Sequence, residues 1–229
     1  MTNEDDLYSA IHALGEDNDD AEDLIWKRMQ AAIATFDKNK PEPLISLLMD
    51  DDSRIRRRGL HIFAWLGKSS IVALEAALES IDSQDPVARN NVMEGIICYP
   101  KSLDARQAMK ILRRAVDSHV LVRGKVTVFL GAASVETIGA AIELIDEPER
   151  SDYKRAFMLF GDEPSQAQMM FDKAVTETSL ESTFVLASIE KMARQQRLPE
   201  APKYFGDGYI GRSVVANTER LLRRGQARG

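Results

Sequence analysis

Few residues of this chain combine a reactive side chain with a spacing that chemistry could use. The three histidines, His12, His61 and His119, lie in separate predicted elements. No two of them are three or four residues apart, the spacing that presents two histidine ligands on one helical face. The single cysteine, Cys98, needs a nearby base to act as a nucleophile and is expected as a small core residue. With no nucleophile elbow, P-loop or metalloprotease motif present, the sequence predicts no catalytic residue, no metal site and no cofactor.

One acidic run, residues 16–23, offers oxygens at a spacing that suits calcium. With Asp17 as the first position of a calcium loop, the sixth position is Glu22, where glycine is needed. The twelfth is Arg28, where a bidentate glutamate is needed. We therefore expect acidic side chains that favour the dipole of a helix N-terminus.

A second short motif lies near the C-terminus, where Gly206-Asp-Gly-Tyr-Ile-Gly211 fits the G-x-G-x-x-G spacing of a dinucleotide-binding turn. No predicted strand precedes it and no suitable acidic residue follows it, so the context that the motif requires is missing. The sequence predicts a glycine-rich turn that packs neighbouring aromatic side chains on the preceding helices.

The chain is organised instead by an internal repeat. Arg56 recurs as Arg89, Arg123 and Arg155, and subtraction gives intervals of 33, 34 and 32 residues. Such a period is typical of stacked helix pairs. Apolar residues of the first helix of each pair repeat in phase, as a continuous core requires. These residues are Leu44, Ala77, Ile111 and Ala141 in one row, and Leu48, Ile81, Ala115 and Ile145 in the next.

We therefore predict an all-α fold, an α-α superhelix or solenoid of about five stacked helix pairs, in a single domain over residues 1–229. Residues 1–40 form an acidic N-terminal helical cap of two helices, and residues 41–195 hold the repeats. Residues 196–229 contain a Gly/Pro-rich loop, a short helix and a basic tail. Glycines at 67, 131 and 161 are predicted at helix ends.

The repeat resembles the HEAT-repeat family of α-solenoids over roughly residues 41–195. In that family an acidic residue in the turn precedes an arginine of the second helix by six positions, as Asp50 precedes Arg56 here. The second repeat departs from the pattern, with Ser83 six positions before Arg89. The resemblance implies that these residues form a ladder between neighbouring repeats. Its members are Asp50, Arg56, Arg89, Asp117, Arg123, Glu149 and Arg155.

The resemblance also implies that second helices line a concave binding face. In the first of these helices, the predicted buried stripe consists of Ile55, Gly59, Ile62, Phe63 and Leu66, so the opposite side is expected to face solvent. The same positions in later repeats extend that face. The predicted partner-binding residues are Arg57, His61, Trp65, Asn90, Glu94, Val128 and Phe160.

Charge and composition favour a protein partner. The formal net charge of −6 argues against a general nucleic-acid or membrane binder, because both carry negative charge. A lone cysteine requires no oxidising compartment, and no signal peptide or apolar run of membrane-spanning length is present. We therefore predict a cytoplasmic protein that does not bind membranes.

The leading hypothesis is a non-catalytic protein-binding module that uses its concave face. A narrower version is an immunity protein that neutralises a basic bacterial toxin, since several immunity proteins resemble this chain in being small, acidic helical repeats. One alternative is a nucleic-acid-binding protein similar to HEAT-like glycosylases for alkylated DNA bases, in which Trp26 or Trp65 would stack on bases. Another is an enzyme that resembles the HEAT-like phycobilin lyases.

Overall fold

The structure, a computed structural model, describes residues 21–160 and 178–195. This part of the chain contains ten α-helices, two 3₁₀ segments (Gly67–Ala73 and Pro100–Ser102) and no strand, which confirms the all-α prediction. The helices are α1 (Ala21–Thr35), α2 (Glu42–Leu48), α3 (Ser53–Trp65), α4 (Leu74–Leu78), α5 (Pro86–Ile96), α6 (Ala105–Leu112), α7 (Val120–Ala132), α8 (Val135–Glu143), α9 (Glu149–Phe157) and α10 (Leu180–Arg194).

Short polar side chains fix where several of these helices begin. Asp52 accepts a hydrogen bond from the Arg54 amide at the start of α3, and Asp85 accepts one from the Val87 amide at the start of α5. Asp104 forms a reciprocal capping box with Gln107 before α6. Each cap satisfies amide groups that have no partner inside the helix.

The described residues divide into two compact units, with the boundary between Tyr99 and Pro100. In the first unit, α2 packs on α3 and α4, while α3 packs on α1 and α5. Helices α3 and α5 approach closely at Gly95, where an added Cβ would lie 2.2 Å from the Phe63 ring. Because Phe63 is fully buried, only a glycine at this position fits the ring without rearrangement.

In the second unit, α6 packs on α8, α7 packs along α10, and α9 contacts both α8 and α10. Gly131 is the penultimate residue of α7, so it lies at a helix end as the sequence predicts. A Cβ there would stand 2.6 Å from Cγ of Glu190 and 3.0 Å from the Ala187 carbonyl oxygen, so this glycine permits α10 to cross α7.

The predicted burial of the two apolar rows is confirmed. All eight residues of the two rows are buried, with exposed fractions of 2% or less for each side chain. Burial of this kind is the main favourable contribution to folding, at roughly 25 cal/mol for each Å² of apolar surface removed from water.

Several predictions concern parts of the chain outside the described residues. These are the first helix of the N-terminal cap, most of the acidic run at 16–23, Gly161, and the whole segment 196–229 with its glycine motif. The single-domain organisation over residues 1–229 stays a prediction. Within the described ranges no single helix has the length and apolar content to cross a bilayer. Helices α7 and α8 would meet that criterion only together, and the chain bends by 118° between them.

Candidate partner-binding site

Three of the four recurring arginines bind the turn that precedes their own helix. Nη1 of Arg56 donates to the carbonyl oxygens of Asp50 and Asp51, and Nη1 of Arg123 donates to the carbonyl oxygen of Asp117. Arg89 donates to the carbonyl oxygen of Ser83 at 2.6 Å. In all three repeats the acceptor is therefore a backbone oxygen six residues earlier.

This geometry explains why serine can replace the acidic residue in the second repeat. The side chain at this position accepts a hydrogen bond from the amide two residues later, from Asp50 to Asp52 at 2.8 Å and from Asp117 to His119 at 2.9 Å. Ser83 receives the same bond from the Asp85 amide at 3.2 Å. A hydroxyl and a carboxylate both stabilise such a turn, so the motif survives the substitution.

The fourth acid–arginine pair, Glu149 and Arg155, does not have the geometry of the other repeats. Glu149 is the first residue of α9 rather than part of the preceding turn. The guanidinium of Arg155 instead contacts carboxylates of Asp152 at 2.9 Å and Glu181 at 3.3 Å. Arg155 thus lies about one helical turn further into its helix than Arg56, Arg89 and Arg123 do. From there it contacts Glu181 of α10.

Arg57, predicted as a partner-binding residue, holds two helices of the first unit together. Its Nε and Nη2 lie 2.8 and 2.7 Å from Oδ2 of Asp85, the N-cap of α5. Burial acts to raise the pKa of the Asp85 carboxyl, but hydrogen bonds from Arg57 and the Val87 amide leave that pKa below its usual value. About half of the Arg57 side chain is still exposed.

His61 and Trp65 lie on the same face of α3, and Trp26 of α1 meets both. The ring centroid of Trp26 is 5.4 Å from that of His61 and 5.7 Å from that of Trp65. The centroids of His61 and Trp65 are 5.9 Å apart. Trp65 is 57% exposed and Trp26 is 41% exposed, so these three residues, the aromatic cluster, form an accessible surface.

Trp26 was not among the predicted partner-binding residues. The signal that could have identified it is its place on α1, outside the helical apolar stripe to which the buried Met29 and Ala32 belong. A large aromatic residue outside an apolar stripe is a candidate for a surface contact.

The His61 imidazole is half-buried inside this cluster. Burial lowers its pKa, which favours the neutral ring at pH 7. Its Nε2 atom is shielded from solvent and has no hydrogen-bond partner within the described structure. At neutral pH this histidine therefore acts as an aromatic wall rather than as a charge.

The remaining predicted partner-binding residues are less accessible. Asn90 and Glu94 on α5 are half-buried. Val128 is 4% exposed and Phe160 is 8% exposed, and Phe160 stacks on Phe157 with centroids 5.9 Å apart. The prediction of an exposed face at these two positions is wrong, because helix packing in the second unit covers both side chains.

The second unit contains a separate cavity of about 610 Å³. Its described lining includes five carboxylates and three arginines. The pKa of Tyr153 in its wall is raised to about 12 by burial, and its hydroxyl donates to the Leu112 carbonyl oxygen at 2.9 Å. Within the described ranges no three His, Cys, Asp or Glu side chains are grouped to hold a metal ion.

Comparison with known proteins identifies no family. No family model matches the chain, and no curated protein matches it. Two similar solved structures are both described as engineered proteins of the Northeast Structural Genomics Consortium. The first is 14% identical, with 98% of both chains covered and a TM-score of 0.48. The second is 13% identical, with 95% of this chain and 68% of the other covered and a TM-score of 0.42. Similarity at this level carries no argument about function.

Proposed function

We propose that this protein is a non-catalytic protein-binding module and that the aromatic cluster is its contact site. The observation that carries the proposal is the contact between two solvent-exposed tryptophans, Trp26 and Trp65. Tryptophan is among the residues that contribute most to interface affinity. An exposed apolar patch that is larger than single scattered side chains typically marks an interaction site.

The proposal includes a HEAT-like solenoid. It is supported in the first unit by the packing of first helix on first helix (α2 on α4) and second helix on second helix (α3 on α5). The arginine-carbonyl turn in three successive repeats also supports it, because the same hydrogen bond precedes the second helix of each pair.

The nucleic-acid alternative receives less support. Arg56 and Arg123 donate to carbonyl oxygens, and Arg57 forms an ion pair with Asp85. A phosphate track needs cationic side chains that can exchange their counterions for phosphates, and these arginines are engaged within the chain.

The lyase alternative is not favoured by any observation, because a pigment pocket is mostly apolar and the described lining of the cavity in the second unit includes eight charged residues. The immunity-protein hypothesis and the cytoplasmic location stay parts of the proposal. A basic toxin would find complementary charge in the net negative charge of the chain, −6.

Affinity capture with variants tests the proposal. Tagged protein is incubated with its native cell extract at about 0.5 M salt, where screening weakens contacts that depend on charge alone. We expect one stoichiometric protein partner that is retained by the parent chain and lost with Trp65→Ala or Trp26→Ala. Met158→Ala is the matched control, because Met158 is an exposed apolar side chain outside the cluster, with 84% exposure. Equal capture by all variants would refute the assigned contact site.

A further inference from the structure

The planes of the three rings form a corner. Trp26 is inclined by 68° to His61 and by 82° to Trp65. His61 and Trp65 are inclined to each other by only 36°. One wall of the corner is therefore the Trp26 indole, and the other is made by Trp65 together with His61.

From this geometry we infer that the aromatic cluster binds a cationic side chain, an arginine or lysine of the partner protein, between its two walls. The inference rests on the proposed function and specifies the chemistry of the partner. Indole faces carry negative electrostatic potential and attract guanidinium and ammonium groups. Two such faces at nearly a right angle can contact one cation from two sides.

The neutral state of the His61 imidazole is compatible with the binding of a cation. Burial keeps the imidazole neutral at pH 7, so the second wall adds no positive charge that would repel the ligand. The net charge of the chain, −6, likewise favours a basic partner through long-range attraction.

Two neighbouring cations act against the ligand and provide a further test. Lys27 follows Trp26 on α1 and is exposed. Arg58 lies one turn before His61 on the same helix, and its pKa is lowered by burial and by repulsion from Arg54. The positive charge of Arg57 is balanced by its ion pair with Asp85. Removal of the Lys27 charge is therefore expected to strengthen binding of a cation.

The tryptophans themselves report on the site. The chain contains two tryptophans, and both belong to the cluster, so fluorescence excited selectively at indole monitors this surface alone. The probe is N-acetyl-arginine amide, and its control is N-acetyl-citrulline amide, which has nearly the same shape without charge. Both are titrated at constant ionic strength up to about 0.1 M, because salt screens the interaction.

We expect the arginine compound to bind more tightly than the citrulline compound by roughly threefold to thirtyfold, the range that cation–π attraction supplies. Lys27→Gln should increase this ratio. Trp65→Ala should abolish the difference in affinity between the two compounds, which Trp26 fluorescence still measures in this variant. His61→Phe should retain the difference in affinity. Met158→Ala again serves as the unaffected control.

Equal responses to the two probes, or no response to either, would overturn the inference. Preferential binding of a single-stranded oligonucleotide at the cluster would also overturn it, in favour of nucleic acid. If Trp65→Ala loses the captured protein partner although the parent chain does not distinguish arginine from citrulline, the cation inference fails and the proposed function stands.

Discussion

Trp26 and Trp65 meet with ring centroids 5.7 Å apart and planes inclined by 82°, although they belong to different helices, α1 and α3. The contact ties α1 to the first repeat. Both rings stay partly exposed, so the contact leaves indole surface available for a ligand.

This pair should show measurable coupling in stability. Aromatic pairs in such edge-to-face geometry contribute about 0.5–1.5 kcal/mol beyond their buried area. In a double-mutant cycle with Trp26→Ala and Trp65→Ala, urea unfolding should give a coupling free energy in this range. Simple additivity would mean that the two rings do not contact each other in solution.

The close approach of α3 and α5 at Gly95 predicts a sharp contrast between two glycines. Gly95→Ala should lower the free energy of unfolding by about 1–3 kcal/mol, the usual cost of overpacking a core, because the new Cβ overlaps the Phe63 ring. Gly139→Ala is the control. Gly139 lies inside α8, and its nearest neighbour would be Phe157 at 3.9 Å. Alanine there should be neutral or stabilising, by up to about 1 kcal/mol, because of its higher helix propensity.

In the arginine-carbonyl turn an arginine donates to the backbone carbonyl oxygen six residues earlier. This contact predicts that Arg89 contributes substantially to the free energy of unfolding. Arg89 is 8% exposed and donates to the carbonyl oxygens of Ser83 and Gln84. Arg89→Met should cost about 1.5 kcal/mol or more in unfolding free energy, since hydrogen bonds to charged groups contribute about 1.5–3 kcal/mol. Arg155→Met should have little effect, because that ion pair is exposed.

The same turn predicts that Ser83→Asp is tolerated. The acceptor for Arg89 is a backbone oxygen, and aspartate already occupies the equivalent position in two other repeats. A large loss of stability in this variant would show that the side chain at this position has a role beyond the turn.

The burial of Lys125 leads us to expect that the free energy of unfolding rises at alkaline pH. Burial lowers the pKa of its ammonium to about 8, against 10.5 for an ordinary lysine. Below pH 8 the charge is present in both the folded and unfolded states, and the folded state carries the desolvation cost. Above pH 8 the folded state loses the proton first, so the free energy of unfolding should increase as the pH approaches 10.5.

Urea unfolding at several pH values between about 7 and 9.5 tests this expectation. The upper limit avoids the buried tyrosines, because the raised pKa of Tyr153 makes stability fall as unfolded tyrosines ionise near pH 10. Lys125→Met should be more stable than the parent at pH 7 and should show a flatter pH dependence. Lys154→Met, at an exposed lysine of the same unit, should keep the slope of the parent.

The sequence alone determined the helical class and the core rows of the first helices. Both depend on local periodicity, and a stripe of apolar residues must be buried wherever the helix packs. Leu44, Ala77, Ile111 and Ala141 were therefore predictable and are buried. The recurrence of Arg56, Arg89 and Arg123 was also visible, because each arginine acts on the turn just before its own helix.

Only the tertiary structure decided the accessible surface. Whether Val128 and Phe160 face solvent depends on which helices cover α7 and the end of α9, and a repeat offset does not contain that information. The partner of Arg57 and the contact of Trp26 with Trp65 likewise join residues far apart in the chain. Such contacts are set by the packing of whole helices, so the sequence could supply the aromatic residues of the candidate site but not their arrangement.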